Sequence, residues 1–334
     1  MPFVQRCVID IRFQRTGLSI QNHILWQIIS IHIIMEEKET IMEYILENEQ
    51  LRLTVSSLGA EPISVIAKKS GEECIWSGDP SIWNRRAPIL FPYTGKLPGG
   101  HLEVDGVSYP GGQHGFARDL EHRLVSLEDR KLILELVSSK ATFHLFPFAF
   151  VLRSTFTLEG NTVHHTLSVA NPGEGPLQFG LGFHPGFTCP FDKDHDTEDY
   201  EFRFDRIESP MALDARPNGL LSGKCYYMGT NLRSIPLTDR LFDNDSYCMT
   251  NLKSSTLGIY EKGTGRSIVC KIADFPYTLI WSQATEKVHF VCIEPWMSLP
   301  GVENGSSKWE DQAAAARLMP GEQFSATLSM TFNR

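Results

Sequence analysis

Short runs of alternating hydrophobic and polar residues recur along the chain from Tyr44 onward, with turn-forming residues between them. Such runs are typical of strands with one buried face, because successive side chains of a strand point to opposite sides. The clearest runs are Leu51–Val55, Leu132–Val137, Phe150–Leu158, Thr162–Val169, Ser267–Ile272 and Phe324–Phe332. The connections include Glu-Gly-Asn (159–161), Asn-Pro-Gly (171–173), Pro-Asn-Gly (217–219) and Pro-Gly-Glu (320–322), which suit tight turns. This pattern predicts an all-β protein, a large antiparallel sandwich or barrel rather than alternating β-α-β units.

Helical periodicity is weak throughout. We predict one short helix, over residues Ser307–Arg317, because Trp309 and the run Ala313–Ala316 favour helix. No repeat, low-complexity tract or linker divides the chain after Met42. Residues 42–334 are therefore expected to form one large domain, since all-β domains of this size are common.

The first 41 residues do not share the strand pattern. Their apolar stretch, Ile24–Ile34, is too short to span a bilayer, is interrupted by polar residues and has no small-residue cleavage site after it. We therefore expect residues 1–41 to be an N-terminal extension outside the core fold, with Met42 as the natural first residue. Deleting the extension is expected to leave fold and activity intact.

Charge and cysteine content narrow the range of partners. The formal net charge is −9, and no cluster of Lys and Arg appears, which argues against nucleic acid as a partner. The seven cysteines form no CxxC pair, and their odd number and wide scatter suit reduced thiols better than disulfides or a zinc site. A reducing, cytoplasmic setting without a membrane anchor is the expectation.

Three segments each place one titratable side chain among aromatic, glycine or proline neighbours. They are His114-Gly-Phe-Ala-Arg118, Gly182-Phe-His184-Pro-Gly-Phe187 and Val291-Cys-Ile-Glu294-Pro-Trp296. Burial and fixed backbone geometry tune the proton affinity of such groups, as acid/base catalysis requires. Glu294 is the most informative, because a glutamate at the end of an apolar run is costly to bury unless it is paired. Its presence there therefore suggests a function.

Structural roles compete with the catalytic interpretation at each position. His184 can equally be a core histidine bonded to backbone groups, and His114 can stabilise a turn. Glu294 can be a structural carboxylate that accepts hydrogen bonds from backbone amides. The neighbours His164 and His165 lie within one predicted strand, so they face opposite sides and are interpreted as structural.

Two arginines precede an apolar run in the segment Trp83-Asn-Arg85-Arg86-Ala-Pro-Ile-Leu-Phe-Pro-Tyr-Thr-Gly-Lys96. Guanidinium groups can fork onto sugar hydroxyls, carboxylate or phosphate, and aromatic faces can stack on a sugar ring. We expect only one of Arg85 and Arg86 to point into a site. The other is expected to be solvated at the surface.

Other reaction schemes lack their usual sequence patterns. There is no HExxH or similar closely spaced metal-ligand set, and no GxSxG motif. Glu294 has no equally well-framed carboxylate partner, which a glycosidase would need. One carboxylate with one or two histidines remains, without metal or nucleotide. That set suffices to move protons on a sugar.

With these residues in view, the chain resembles the aldose 1-epimerase (galactose mutarotase) family, particularly its LacX-like branch, from about Tyr44 to the C-terminus. The matching motifs also include Leu241-Phe-Asp-Asn-Asp245, Leu279-Ile-Trp-Ser282 and Leu318-x-Pro-Gly-Glu322. The resemblance implies a supersandwich of antiparallel sheets with a sugar cleft on one sheet. It implies that Glu294 is the general base on the anomeric hydroxyl and His184 the general acid at the ring oxygen, without cofactor or metal.

The resemblance also implies substrate-binding residues and leaves alternatives open. His114 would hold or polarise the sugar, Arg85 would bind hydroxyls, and Asp245 would be a further ligand. Related hexose-6-phosphate 1-epimerases place arginines around a phosphate, and Arg86 or Arg118 could do so here. A non-catalytic sugar-binding protein on the same fold is the alternative outside enzymes, since fold does not fix function. In every case the expected partner is a small sugar.

Overall fold

The structure, a computed structural model, describes residues 41–216 and 218–334, and strands make up most of its regular structure. The first strands in chain order are β1 Glu43–Glu47, β2 Leu51–Ser56, β3 Glu61–Ala67, β4 Glu72–Glu73, β5 Ile89–Leu90, β6 His101–Val104, β7 Val107–Pro110, β8 Arg123–Glu128, β9 Lys131–Val137, β10 Val151–Glu159, β11 Thr162–Ala170 and β12 Leu177–Phe179. They are followed by β13 Gly182–Phe183, β14 Gly186–Thr188, β15 Tyr200–Glu208, β16 Met211–Leu213, β17 Cys225–Tyr227, β18 Leu232–Pro236, β19 Tyr247–Thr250, β20 Thr256–Glu261, β21 Ser267–Lys271, β22 Tyr277–Trp281, β23 Phe290–Trp296, β24 Ala316–Leu318 and β25 Gln323–Asn333.

Two large sheets dominate the topology. A nine-stranded sheet has the order β18-β15-β20-β21-β25-β11-β10-β9-β8. An eight-stranded sheet has the order β17-β16-β19-β22-β23-β13-β5, and β14 also pairs with β23. A four-stranded sheet (β1 to β4) and two strand pairs complete the set, and neighbouring strands in the large sheets run antiparallel. The predicted all-β antiparallel fold is confirmed, and all six runs of alternating residues are strands.

The alternation along β11 shows how the sequence divides the two faces of the nine-stranded sheet. Val163, Leu167 and their alternate neighbours are fully buried. On the other face, hydroxyls pair across β11 and β25, for example Thr166 Oγ1 with Thr327 Oγ1 at 2.8 Å. Such cross-strand pairs stabilise a sheet face that carries no hydrophobic cover.

Aromatic side chains join the inner faces of the two large sheets. Phe183 on β13 packs edge-on against His165 on β11, with ring centroids 5.1 Å apart. His165 itself is buried and stacks on Phe156 at 4.1 Å. His164 faces the other way, with Nδ1 2.9 Å from Ser329 Oγ. The two neighbouring histidines therefore lie on opposite faces of β11 and have separate structural contacts.

Helical structure in the described residues is limited to short segments. The α-helix Lys140–Phe143 begins at a capping box formed by Ser139 and Thr142. The 3₁₀ segments are Pro98–Gly100, Ala117–Asp119, Thr197–Asp199 and Trp309–Asp311.

The predicted helix Ser307–Arg317 is wrong. Only Trp309–Asp311 is helical, and the chain then enters β24, which pairs with β12. The Gln178 side chain on β12 donates to the carbonyls of Trp309 and Gln312, at 2.7 and 3.1 Å. These long-range bonds fix an extended path, so tertiary pairing overrides the helical preference of the alanine run.

The predicted extension, residues 1–41, lies outside the described residues except for Ile41. Within the described part of the chain, no helix is long and apolar enough to cross a membrane. The six cysteines of this part, residues 74, 189, 225, 248, 270 and 292, are free thiols.

Candidate active site

Strand β23 supplies the carboxyl group of the site and lies between β22 and the pair β13 and β14. Every residue of β23 is buried. Val291 and Ile293 point into the main core, so Cys292, Glu294 and Trp296 share the opposite face. A buried glutamate therefore projects from the middle of the eight-stranded sheet, away from the sandwich core.

His184 meets Glu294 at this face. Its Nε2 lies 3.2 Å from Glu294 Oε2, and both side chains are almost fully buried. The two atoms are not aligned for a hydrogen bond, and neither Glu294 Oε2 nor His184 Nδ1 has a partner. The pair is close enough for a proton to pass between nitrogen and oxygen after a small reorientation.

Burial sets the proton affinity of the pair. It raises the pKa of Glu294 well above the usual value of 4.5, and the charge of Asp245 adds to the effect. It lowers the pKa of His184 to about 3, and the positive charge of Arg118 acts in the same direction. Without a ligand, this environment favours an uncharged pair, in which Glu294 holds the proton.

Tryptophan rings form the walls around His184. Trp83 stacks on the imidazole with centroids 5.0 Å apart, and Trp281 meets it edge-on at 5.6 Å. Gly186 permits this packing, because a Cβ there would lie 2.9 Å from Trp83 Cζ3. These contacts fix the plane of the imidazole and keep water from one side of the pair.

His114 lies in a loop that is locked to a second loop at Gly95. Its backbone N–H donates to Gly95 O at 2.7 Å, and its Nδ1 accepts from Gly95 N at 2.9 Å. Because Nδ1 is an acceptor, the proton of the neutral ring is on Nε2, which lies 3.2 Å from the side-chain amide nitrogen of Gln113. Burial lowers the pKa of His114 well below 6.5, and the nearby His184 contributes. His114 is therefore a neutral donor beside His184, whose ring centroid is 5.5 Å away.

Two of the predicted arginines line the cavity. Arg85 donates to Asp119 Oδ1 at 2.5 Å and to the Arg118 carbonyl at 3.3 Å. Arg118 donates through Nη2 to Gln113 O at 2.7 Å, while its buried Nε has no hydrogen-bond partner and lies 3.9 Å from Asp119 Oδ2. The structure does not bring Arg86 to the cavity, because its Nε donates to Ser77 O at 2.9 Å on another side.

The cavity enclosed by these groups has a volume of about 430 Å³. That volume is within the usual range for small-molecule sites. Asp245 lies at its exposed rim, where Oδ1 accepts from Ser246 N at 2.7 Å. His114, His184, Glu294, Arg85, Arg118 and Asp245, widely separated in sequence, thus line one cavity.

Cys292 extends the buried donor set around His184 and Glu294. One ligand atom from each of the three residues lies within 4.8 Å of the other two. Burial raises the pKa of the Cys292 thiol well above 9, so the sulfur stays protonated and is a poor metal ligand. We assign no metal to this set.

Sequence reasoning missed several residues of the cavity wall. Gln113, Trp281, Gln283, Cys248 and Trp296 all line it. Trp281 and Trp296 lie within the family motifs, which predict no role for them. No local pattern identifies Gln283 or Cys248, because their positions depend on how distant strands pair.

Comparisons with known proteins agree with this fold. A sequence profile described as Aldose 1-epimerase matches residues 42–329. Protein LacX of Lactococcus lactis subsp. lactis is 28% identical over 284 residues, 82% of this chain and 94% of that protein. A galactose mutarotase related enzyme from Lactobacillus acidophilus superposes with a TM-score of 0.84 and 29% identity, covering 88% of this chain and 98% of its own.

A second solved structure has nearly the same similarity. The galactose mutarotase-like protein from Lactobacillus casei gives a TM-score of 0.81 and 27% identity, over 87% of this chain and 99% of its own. The family profile extends over most of the strands that build the cavity. The chain belongs to the aldose 1-epimerase family.

Proposed function

We propose that this protein is a mutarotase that interconverts the α and β anomers of an aldohexose, with Glu294 and His184 as its acid/base pair. The family supports an isomerase acting on carbohydrates. The observation that carries the specific proposal is the buried contact of 3.2 Å between His184 Nε2 and Glu294 Oε2 in a sugar-sized cavity. A binding protein would have no need for such a pair.

The proposed reaction breaks and remakes one bond. Glu294 takes the proton of the anomeric hydroxyl, the bond between C1 and the ring oxygen breaks, and its electron pair goes to that oxygen. His184 protonates the ring oxygen, which leaves an open-chain aldehyde. Rotation about C1–C2 turns the other carbonyl face to the hydroxyl, and closure reverses both proton transfers.

The pair carries a single exchangeable proton in this scheme. The form with protonated Glu294 and neutral His184 contains as many protons as the form with carboxylate and imidazolium. Without ligand, burial favours protonated Glu294 with neutral His184. Hydrogen bonds from sugar hydroxyls favour the carboxylate with imidazolium, and this form begins the reaction.

Replacement of Glu294 by Gln tests the proposal. We expect the mutarotation rate, measured by polarimetry on freshly dissolved α-D-galactose and α-D-glucose, to fall by about 10²-fold or more. The exposed Glu49→Gln variant is the control and should retain the wild-type rate. The folded state should persist, because Gln replaces a carboxyl whose ionised form burial disfavours.

Two results would contradict this assignment. Near-normal turnover by Glu294→Gln would place the base elsewhere. Sugar binding by the wild type without acceleration of mutarotation for any hexose or hexose phosphate would instead support a non-catalytic sugar-binding protein.

A phosphorylated hexose is the second candidate substrate, and the arginines favour it. Arg85 and Arg118 both line the cavity, and the buried Arg118 Nε has no hydrogen-bond partner. Phosphate oxygens pair well with guanidinium groups. Arg118→Ala should then lose activity on glucose 6-phosphate while keeping activity on free galactose. Equal losses on both sugars would remove this candidate.

A further inference from the structure

Trp296 carries a hydrogen-bond donor at the cavity wall that its surroundings use only in part. Its side chain is 3% exposed, and its buried Nε1 makes no well-aligned hydrogen bond, although the indole N–H is close enough to the Glu294 carboxyl to lower the pKa of that group. Among the described residues, no other tryptophan has a buried indole nitrogen that lacks a hydrogen-bond partner. A buried N–H without a well-aligned acceptor costs free energy, so a ligand oxygen placed beside the Glu294 carboxyl could complete the bond.

The position of Trp296 links it to the acid/base pair. It lies two residues after Glu294 on β23, so the two side chains share one face of the strand. Its ring meets His114 edge-on, with centroids 5.5 Å apart. The indole therefore borders the part of the cavity where Glu294 and both histidines converge.

The packing around Trp296 holds the indole in place. Gly182 on the neighbouring strand β13 is directly opposite Trp296, and a Cβ there would lie 2.9 Å from Trp296 Cδ1. The ring thus packs closely over a backbone with no side chain. A donor fixed in this way is preorganised for one acceptor position.

We propose that the Trp296 indole N–H is a substrate-binding donor, which bonds to one hydroxyl oxygen of the sugar held between Glu294 and His114. This inference rests on the proposed function only in taking the ligand to be a sugar. Indole nitrogen has no acceptor lone pair, so it can only donate. A sugar hydroxyl can accept this bond while donating its own proton to another group.

Trp296→Phe tests the inference, because it removes the N–H and keeps an aromatic ring. Trp309→Phe is the matched control. Trp309 is also 3% exposed, but its Nε1 donates to Gln178 O at 3.1 Å, and it does not line this cavity. Both full-length variants are compared with wild type by calorimetric titration with D-galactose, D-glucose and their 1-, 2-, 3-, 4- and 6-deoxy forms.

We expect Trp296→Phe to weaken sugar binding by about 5- to 10-fold, the usual effect of one lost hydrogen bond, and Trp309→Phe to bind as wild type does. One deoxy sugar should bind equally to wild type and Trp296→Phe, which identifies the hydroxyl. Three results would each overturn the inference: unchanged affinity in Trp296→Phe, an equal loss of affinity for every deoxy sugar, or no sugar binding by wild type. A shifted pH–rate profile of Trp296→Phe at unchanged sugar affinity would also overturn it, because the N–H would then act on Glu294 and not on the sugar.

A measurement on the wild type covers the case in which Trp296→Phe does not fold. In a ¹⁵N–¹H spectrum, the Trp296 indole proton should move downfield on addition of the sugar, while the Trp309 indole proton stays in place. An unmoved Trp296 signal at saturating sugar would overturn the inference. Because titration and spectrum report binding and not turnover, they decide this question even if polarimetry finds no mutarotase activity.

Discussion

At the scale of single residues, the unusual feature is an acid and a base held together with little water. His184 Nε2 and Glu294 Oε2 are 3.2 Å apart, and neither side chain is more than 9% exposed. In water their pKa values would differ by about two units, with the imidazole the stronger base. Burial disfavours both charged forms and so reverses this order, favouring protonated Glu294 beside neutral His184. Hydrogen bonds from a ligand to the carboxylate would shift the balance back toward the ion pair.

The two histidines of the site are expected to differ in importance. His184→Asn should reduce the mutarotation rate by about 10²-fold or more, because it removes the proposed acid. His114→Asn should cost less, because the proposed role of this neutral ring is only to donate to the sugar, and its loss resembles that of one hydrogen bond, about 5- to 10-fold. Polarimetry of both variants at equal folded concentration checks the order. A larger loss of rate in His114→Asn than in His184→Asn would mean that His114, and not His184, is the acid.

The sequence could indicate the candidate acid/base residues but not their contact. Glycine and proline neighbours identified His114, His184 and Glu294 as tunable groups. Only the pairing of β13 and β14 with β23 brings His184 to Glu294. The missed donor, Trp296, has no local signal, because its lack of a partner depends on the whole cavity.

At the scale of elements, the loop that carries His114 depends on one glycine. Gly115 has φ of 72°, and a Cβ on it would lie 2.0 Å from the carbonyl oxygen of Phe91. His114 itself has φ of 68°, in the left-handed region that non-glycine residues rarely adopt. The two bonds to Gly95 and the close approach at Phe91 hold this conformation.

Gly115→Ala should therefore disrupt the loop, with a loss in the free energy of unfolding of about 3 kcal/mol or more. Gly112→Ala in the same loop is the control, since a Cβ there meets no atom within 4 Å. Urea unfolding followed by tryptophan fluorescence measures both. Equal stability of the two variants would mean that the loop can move away from Phe91 at little cost.

Element types were predictable wherever the alternation was long. Strands β10, β11 and β25 are each nine residues or longer and match the predicted runs. The prediction of a helix over Ser307–Arg317 is wrong because hydrogen bonds from the distant Gln178 decide the path of this segment, and local propensity contains no information about them.

At the scale of the whole molecule, four buried histidines in the described part of the chain make the fold sensitive to acid. Burial lowers the pKa of His122 to about 4 and that of His165 and His184 to about 3, and His114 is also shifted well below 6.5. Below pH 6.5 the unfolded chain takes up protons at these positions and the folded chain does not. Stability is therefore lost as pH falls from about 6.5 toward the folded-state values.

His165→Leu should reduce this sensitivity without touching the cavity. Each such histidine contributes a slope of up to about 1.4 kcal/mol per pH unit between its folded and unfolded pKa values. When urea unfolding is repeated from pH 6.5 to 4.5, the free energy of unfolding of the variant should fall less per pH unit than that of wild type, by up to this slope. Above pH 7 the two proteins should change in parallel, which is the internal control. Parallel curves below pH 6.5 would mean that folded His165 accepts a proton.

The walls of Trp83 and Trp281 around His184 have a consequence for kinetics. Free sugars mutarotate faster in concentrated buffer, because buffer acids and bases shuttle protons in solution. In the proposed mechanism, the proton passed between Glu294, the sugar and His184 returns to its starting atom in each cycle and need not leave the cavity. The enzyme-dependent part of the rate should therefore be independent of phosphate concentration at fixed pH and ionic strength. Only the rate of the uncatalysed reaction should rise with phosphate concentration.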